Sequence, residues 1–150
     1  MEQDYSQLLL KSSLEKRQIF AQESTICYQN SEVLAYRALA LTNDQITHLM
    51  ERIKSDFKAG YIAPRSISFS YNPLNHEALE SIVNHLPPST TEIGLVSCLL
   101  DDYAARSLLY FLKRSSHIRM LCAEGNQISE GLKNEFRRLA ASRPGLVVII

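Results

Sequence analysis

Two short clusters in this chain bring together side-chain types that catalysis uses. Asp101 and Asp102 are adjacent carboxylates, the kind of pair that general acid–base chemistry needs. Cys122 lies two residues before Glu124, so its thiol could be a nucleophile beside a carboxylate. The two aspartates also begin a predicted helix, where carboxylates accept hydrogen bonds from free N–H groups and offset the helix dipole. No histidine is in register with Cys122 to activate it. We therefore predict no catalytic residue.

The sequence offers no spacing that would suit a metal ion or a phosphate group. The glycines are isolated, and neither a His-Glu-x-x-His motif nor a Cys-x-x-Cys pair occurs. The histidines fall at different phases of the repeat described below, at His48, His76, His85 and His117. We predict no metal and no cofactor, and we interpret Cys27, Cys98 and Cys122 as free thiols in a reducing compartment.

Hydrogen bonding to the backbone is the chemistry that the spacing does indicate. Asn72, Cys98 and Asn126 each take the sixth position of a phrase that reads apolar-x-apolar-x-x-polar-x-apolar, and Asp44 takes it in a fourth copy. The phrases begin 28, 26 and 28 residues apart, at Leu39, Ile67, Ile93 and Leu121. An Asn there can donate to and accept from neighbouring turns, a thiol donates weakly, and a carboxylate only accepts. We predict that these four residues form a structural ladder.

Each phrase indicates a strand that is followed by a helix. Alternate apolar residues send one face of an extended segment inward, and apolar residues at helical spacing follow. Asn75, Asp101 and Ser129 are the predicted N-caps. Since no unit can bury its apolar side alone, the units must stack, which predicts an α/β solenoid with a parallel sheet inside and helices outside.

The pattern resembles the leucine-rich repeat family, and most closely its ribonuclease-inhibitor-like class. The resemblance rests on the repeat of about 28 residues, the helical return, and an Asn or Cys as in Ile93-Gly-Leu95-Val-Ser-Cys98-Leu-Leu100. It covers about residues 36–150 and departs from the family pattern at Asp44 and Ala123. It implies a short right-handed horseshoe with a curved sheet on the concave side, where a partner protein binds. Bacterial effectors often carry such repeats, and this chain looks similar to them.

The predicted partner is an unidentified protein that contacts the strands and the turns after them. Most outward positions there are small and nearly uncharged, and Tyr71 is the large amphipathic anchor. The predicted partner-binding residues are Tyr71, Ser70, Val96, Ser97, Leu99 and Glu124. The alternative is a face without a partner, whose small residues merely allow the strands to curve.

Composition limits the classes of partner and the cellular locations that we expect. Sixteen basic and sixteen acidic residues balance, so we expect no general attraction to nucleic acid or to an anionic membrane. The apolar runs are too short to span a bilayer, and no export signal is recognisable at the N-terminus. We expect one cytoplasmic domain, delivered into a host cell if the protein is a bacterial effector.

Both ends of the chain depart from the repeat. Residues 1–35 are predicted to form a helical N-terminal cap, with a free amphipathic helix as the alternative. Residues 146–150 begin a further unit as a terminal strand, which is either masked, paired with another copy as a homo-oligomer, or left by truncation. Two rival functions follow: a structural protein that self-associates through this strand, and a small doubly wound α/β enzyme, which would need a ligand loop at a topological switch point.

Overall fold

Strands and helices alternate through most of the chain. The protein is described by a computed structural model over residues 3–4, 26–27 and 32–150, and in these ranges four helices alternate with the five strands of a parallel sheet. The strands of this sheet are β3 (Val33–Ala35), β4 (Ser66–Ser68), β5 (Glu92–Gly94), β6 (Met120–Cys122) and β7 (Val147–Ile149). The helices are α1 (Asn43–Lys58), α2 (His76–Asn84), α3 (Asp102–Arg114) and α4 (Glu130–Ser142). The predicted alternation of parallel strands and helices is confirmed.

The strands of the sheet lie in the order in which they occur in the sequence. The spatial order is β3-β4-β5-β6-β7, and each strand pairs in parallel with the next. Each helix therefore connects two adjacent strands. A sheet with this order has no point at which the direction of winding reverses, so it lacks the crevice in which doubly wound enzymes bind their ligands.

The register of the sheet corrects the predicted first unit. β3 pairs with β4 through Leu34 and Ile67, so the first unit begins at Leu34 and not at Leu39. Asp44 is therefore not a ladder residue; it lies in the first turn of α1, and Leu39 takes the ladder position. The predicted register assumed an even period, but α1 has 16 residues whereas α2 has 9 and α3 and α4 have 13 each.

The boundary predicted between the N-terminal cap and the repeats differs in the structure. The strand β3 falls within residues 1–35, the range predicted to be a helical cap, so the sheet begins before that range ends. A separate parallel pair is formed by β1 (Gln3–Asp4) and β2 (Ile26–Cys27). The helix predicted for the cap lies outside the described residues.

One residue at the centre of each of the first four strands of the sheet is buried against the helices. These residues are Leu34, Ile67, Ile93 and Leu121, and each is at most 3% exposed. They align across the sheet and join one apolar cluster with the inner sides of the helices. Burying an aliphatic side chain of this size contributes about 1.5–3 kcal/mol, so the cluster supplies most of the drive to stack the units. The helices therefore cover one face of the sheet and leave the other open.

Each helix begins at a side chain that accepts a hydrogen bond from the helix backbone. Asn75, Asp101 and Ser129 accept from the N–H groups of Ala78, Ala104 and Leu132, as predicted. Thr42 and Gln45 cap α1 reciprocally. These caps satisfy N–H groups that a helix start leaves free, and each stabilises its helix by about 1 kcal/mol.

The side-chain amide of Asn72 joins two consecutive turns. Its Oδ1 accepts hydrogen bonds from the backbone N–H groups of Leu39 (3.1 Å) and Leu41 (3.3 Å). Its Nδ2 donates to the carbonyl oxygens of Tyr36 (2.7 Å) and Phe69 (2.9 Å). Because Asn72 is fully buried, water cannot replace these bonds.

Asn126 makes the same set of bonds two units further along. Its Oδ1 accepts from the N–H groups of Cys98 (2.8 Å) and Leu100 (3.0 Å), and its Nδ2 donates to the carbonyls of Leu95 and Ala123, both at 2.8 Å. The two amides thus bridge the first turn to the second and the third turn to the fourth.

Cys98 occupies the turn between these two amides. Its thiol donates to the carbonyl oxygens of Phe69 (3.3 Å) and Val96 (3.5 Å). A thiol is a weaker donor than an amide and carries no carbonyl acceptor. The bridge between the second and third turns is therefore the weakest of the three.

We predict that Asn72→Ala lowers the free energy of unfolding by roughly 3 kcal/mol, because four buried backbone groups lose their partner. Asn126→Ala should cost about half as much, since Asn126 is only partly buried and water can reach the groups it leaves. Urea unfolding followed by circular dichroism measures both. Asn134→Ala, on the exposed side of α4, is the matched control and should have almost no effect. Equal losses for Asn72→Ala and Asn134→Ala would contradict the role of the amide.

Candidate functional site

One face of the sheet lies opposite the helices and is here called the open face. It carries the first and third residues of each strand. These are Val33, Ala35, Ser66, Ser68, Glu92, Gly94, Met120, Cys122, Val147 and Ile149. None of them is buried. The middle of the face combines small side chains with the larger Glu92 and Met120, whereas Val147 and Ile149 leave an apolar area at β7, 48% and 45% exposed.

The turn after each strand places one residue in the left-handed backbone region. The residues at this fifth position of the four units have φ between 52° and 76°: Ala38, Tyr71, Ser97 and Gly125. Ala40 and Leu99, at the seventh position of their units, also have positive φ. For a residue other than glycine this conformation costs about 1 kcal/mol. Hydrogen bonds from Tyr71 N–H to Val96 O and from Ser97 N–H to Glu124 O hold the turns to each other.

Tyr71 is the largest side chain on these turns. It is 48% exposed, and the guanidinium carbon of Arg37 lies 5.2 Å from the centre of its ring. Arg37 is in the turn of the preceding unit, so the cation–π contact orients the ring across two units. Sequence reasoning missed Arg37 because the first unit was aligned five residues too late; the correct register would have placed it beside Tyr71.

Leu99 lies on the rim of a surface depression at the carboxyl end of the sheet. The side chain is 57% exposed, although its neighbours Cys98 and Leu100 are fully buried. The depression has a volume of about 370 Å³ and is lined by Asn43, Pro73, Leu74, Asn75, His76, Leu99 and Asp101. It combines one exposed aliphatic group with polar groups at the starts of three helices, which is a chemistry suited to a peptide side chain.

Ser70 does not belong to the accessible surface. It is 3% exposed, and its Oγ accepts hydrogen bonds from the N–H of Val96 (3.0 Å) and from the hydroxyl of Ser68 (3.2 Å). This corrects its prediction as a contact residue, because a turn position that faces outward in sequence is here covered by the turn of the next unit. Gly94 lies against the same serines: a Cβ there would be 2.8 Å from Ser68 Oγ. Val96 and Ser97 remain partly accessible.

Glu124 and Cys122 are neighbours on the open face. The Oε2 atom of Glu124 is buried and, within the described residues, has no hydrogen-bond partner. Partial burial and the negative charges of Glu124 and Glu92 raise the pKa of the Cys122 thiol. A thiol with a raised pKa is a poor nucleophile at neutral pH.

Ser107, His76 and Glu80 are the side chains most similar to a hydrolase triad in type. Ser107 Oγ is 2.9 Å from His76 Nε2, and Glu80 Oε1 is 3.2 Å from the same nitrogen. A triad needs the nucleophile at one ring nitrogen and the carboxylate at the other, since the carboxylate fixes the tautomer. These three residues therefore lack the geometry for nucleophilic catalysis.

Two further properties of the described residues bear on function. No three or more His, Cys, Asp or Glu side chains among them are grouped so that they could hold a metal ion. Nor does any helix in the same part of the chain have the length and apolar character needed to cross a membrane.

Comparison with known proteins identifies no family for this chain. No family model matches it, and neither does any curated protein.

We predict different reactivities for Cys98 and Cys122. Burial raises the pKa of the Cys98 thiol to about 11, although backbone hydrogen bonds from Asn72 and Tyr71 oppose the rise. Because the thiolate is the reactive form, iodoacetamide should label Cys122 slowly at neutral pH and faster at alkaline pH, and Cys98 only in urea. Peptide mass spectrometry measures both rates. Glu124→Gln should speed labelling of Cys122 by removing a negative charge that raises its pKa. Labelling of Cys98 as fast as Cys122 in the folded protein would contradict this.

Proposed function

We propose that this protein is an interaction module built as a short leucine-rich repeat solenoid of the ribonuclease-inhibitor-like class. It binds a partner protein through the open face and the adjoining turns, and it catalyses no reaction. The bridging amides of Asn72 and Asn126, with Cys98 between them, support the repeat assignment, because each stands at the same position of a stacked unit. The proposed location is the cytoplasm, of a host cell if the protein is a bacterial effector.

The observation that carries the proposal is the placement of Tyr71 and Leu99. Both occupy left-handed turn positions, where glycine would be about 1 kcal/mol more favourable, and both are about half exposed. A strained backbone that presents a large side chain to solvent is typical of binding sites. Since the turns are already fixed by hydrogen bonds, docking on these side chains would cost little conformational entropy.

Glu124 gives the proposal a second support. Within the described residues the buried Oε2 atom of Glu124 has no hydrogen-bond partner. A donor on the bound partner, such as an amide or a lysine, could bond to it.

The test uses glycine substitutions, which remove the side chain and relieve the strain together. We predict that Tyr71→Gly and Leu99→Gly leave the free energy of unfolding unchanged or slightly raised, because positive φ suits glycine. The double variant should lose a partner that the wild type captures from cell lysate, by about tenfold or more in quantitative mass spectrometry.

Ala38→Gly is the matched control, since it changes the same backbone position in the preceding unit and removes only a methyl group. It should capture the partner as the wild type does. Identical sets of captured proteins for wild type, the double variant and the control would overturn the proposal, because the double variant is expected to be fully folded.

A second candidate function is self-association through β7. Within the described residues β7 is an edge of the sheet, and Val147 and Ile149 expose an apolar area beside unpaired backbone groups. Such an edge is a template for pairing with another chain. Two copies joined in this way would make a continuous sheet.

Sedimentation over a range of concentrations tests this alternative. Val147→Lys with Ile149→Lys should give a monomer at concentrations where the wild type associates, because charged side chains block edge pairing. Both positions face solvent, so the fold should be kept. Val148 is unsuitable for this purpose, since it packs against the core. A wild type that is monomeric throughout would reject self-association and leave the interaction module in place.

A further inference from the structure

Neighbouring helices leave three grooves on the side of the molecule away from the open face. The α1–α2 groove is lined by Glu51, Lys54, Ser55, Lys58 and His85. The α2–α3 groove is lined by Glu80, Val83, Arg106, Ser107, Tyr110 and Arg114. The α3–α4 groove is lined by Lys113, Glu135, Arg138, Leu139 and Ser142. The α2–α3 groove differs from the other two because its lining includes a tyrosine and two arginines.

Two tyrosines project from the part of α3 that borders this groove. Tyr103 is 66% exposed and Tyr110 is 64% exposed, and they lie two helical turns apart on one side of α3. Tyr103 stacks on His76, with 4.2 Å between ring centres. Exposed tyrosines beside arginines have the composition of a binding hot spot.

Arg106 and Arg114 give the groove its charge. Neither guanidinium forms an ion pair with a carboxylate of the described chain. Arg114 lies over the ring of Tyr110, with 4.8 Å from its guanidinium carbon to the ring centre, so its direction is fixed. The acid of the groove, Glu80, is engaged by His76 (3.2 Å) and Asn84 (3.3 Å) instead. Asp102 attracts Arg106 electrostatically without an ion-pair contact, and its carboxylate accepts a hydrogen bond from the N–H of Ser129 (2.7 Å). Both guanidinium groups can therefore contact an external anion.

We propose that the α2–α3 groove is a second docking surface, which binds an acidic, extended segment of a partner protein. Arg106 and Arg114 are eight residues apart on α3, which is about 12 Å along the helix axis at ~1.5 Å per residue. An extended chain covers that distance in about four residues at ~3.3 Å each. The segment should thus carry two carboxylates about four residues apart, with an apolar side chain between them against Tyr110 and Val83.

The charges of the groove favour a peptide over a nucleic acid. A nucleic-acid strand would bring a phosphate with every nucleotide and needs a longer row of cations. The α2 wall instead carries Glu80, which would repel such a backbone. Isolated carboxylates on a peptide can contact the two arginines and avoid the acidic wall.

Fluorescence anisotropy with short labelled peptides tests the proposal. One set of peptides has two glutamates four residues apart around a valine or leucine, and the other has lysines in place of the glutamates. An unstructured RNA oligonucleotide is the third probe. The acidic peptides should bind the wild type saturably, and more weakly as salt is raised, while the basic peptides should not bind.

The variants distinguish binding in the α2–α3 groove from a general effect of the net charge of the protein. Arg106→Glu with Arg114→Glu should weaken binding of the acidic peptides by about tenfold or more, and Tyr110→Ser should weaken it several-fold. The matched control, Lys113→Glu with Arg138→Glu, makes the same change of charge in the α3–α4 groove and should alter binding by less than about twofold. All of these side chains are exposed, so the variants should fold, and thermal melts verify this.

Three results would overturn the proposal. They are no saturable binding of any acidic peptide at millimolar concentration, equal losses in the two charge-reversal variants, or preferential binding of the RNA. The Tyr71→Gly, Leu99→Gly double variant should bind the acidic peptides as the wild type does. The groove and the open face can therefore fail or succeed independently.

Discussion

Buried backbone groups at the ends of the strands are the constraint on which this structure depends. The strands β3 to β6 are each three residues long, and the chain then turns sharply towards a helix. The turns contain buried backbone groups, such as the N–H of Leu39 and the C=O of Phe69, that take no part in pairing the strands. Asn72 and Asn126 satisfy these groups with both atoms of one amide, and they do so across two units at once. Because the turns are fixed in this way, the large side chains on them are held in place before any partner arrives.

The periodic part of the fold could be predicted from sequence, because its cause is local. Apolar residues at alternate positions, an Asn at a fixed offset and a capping side chain before each helix are all visible in a short window, as at Ile67, Asn72 and Asn75. The first unit was predicted in the wrong register for the same reason. Leu34 and Leu39 both begin a segment that fits the repeat pattern. The pairing with β4 and the length of α1 show that the unit begins at Leu34, and neither segment indicates that length.

The residues of the candidate sites could be predicted from sequence only where the exposure of a side chain follows from its position in a turn. Tyr71 and Leu99 are exposed as the repeat predicts. Ser70 is not, because the turn of the next unit packs on it and donates a hydrogen bond from Val96 N–H, and that contact depends on the spacing between units. The α2–α3 groove depends on how two helices lie against each other. A signal was nevertheless present: Tyr103, Arg106 and Tyr110 all lie off the buried stripe formed by Ala105, Leu108 and Leu112.

The order of the strands has a mechanical consequence. Each of β4, β5 and β6 is bonded only to the strand before it and the strand after it, and no later segment is threaded between two earlier ones. Tension applied to the two ends of such a row is borne by its outermost interface first, so it should peel away one layer at a time and leave the rest intact. Unfolding from either end of the row would therefore disrupt only one set of neighbours at each step.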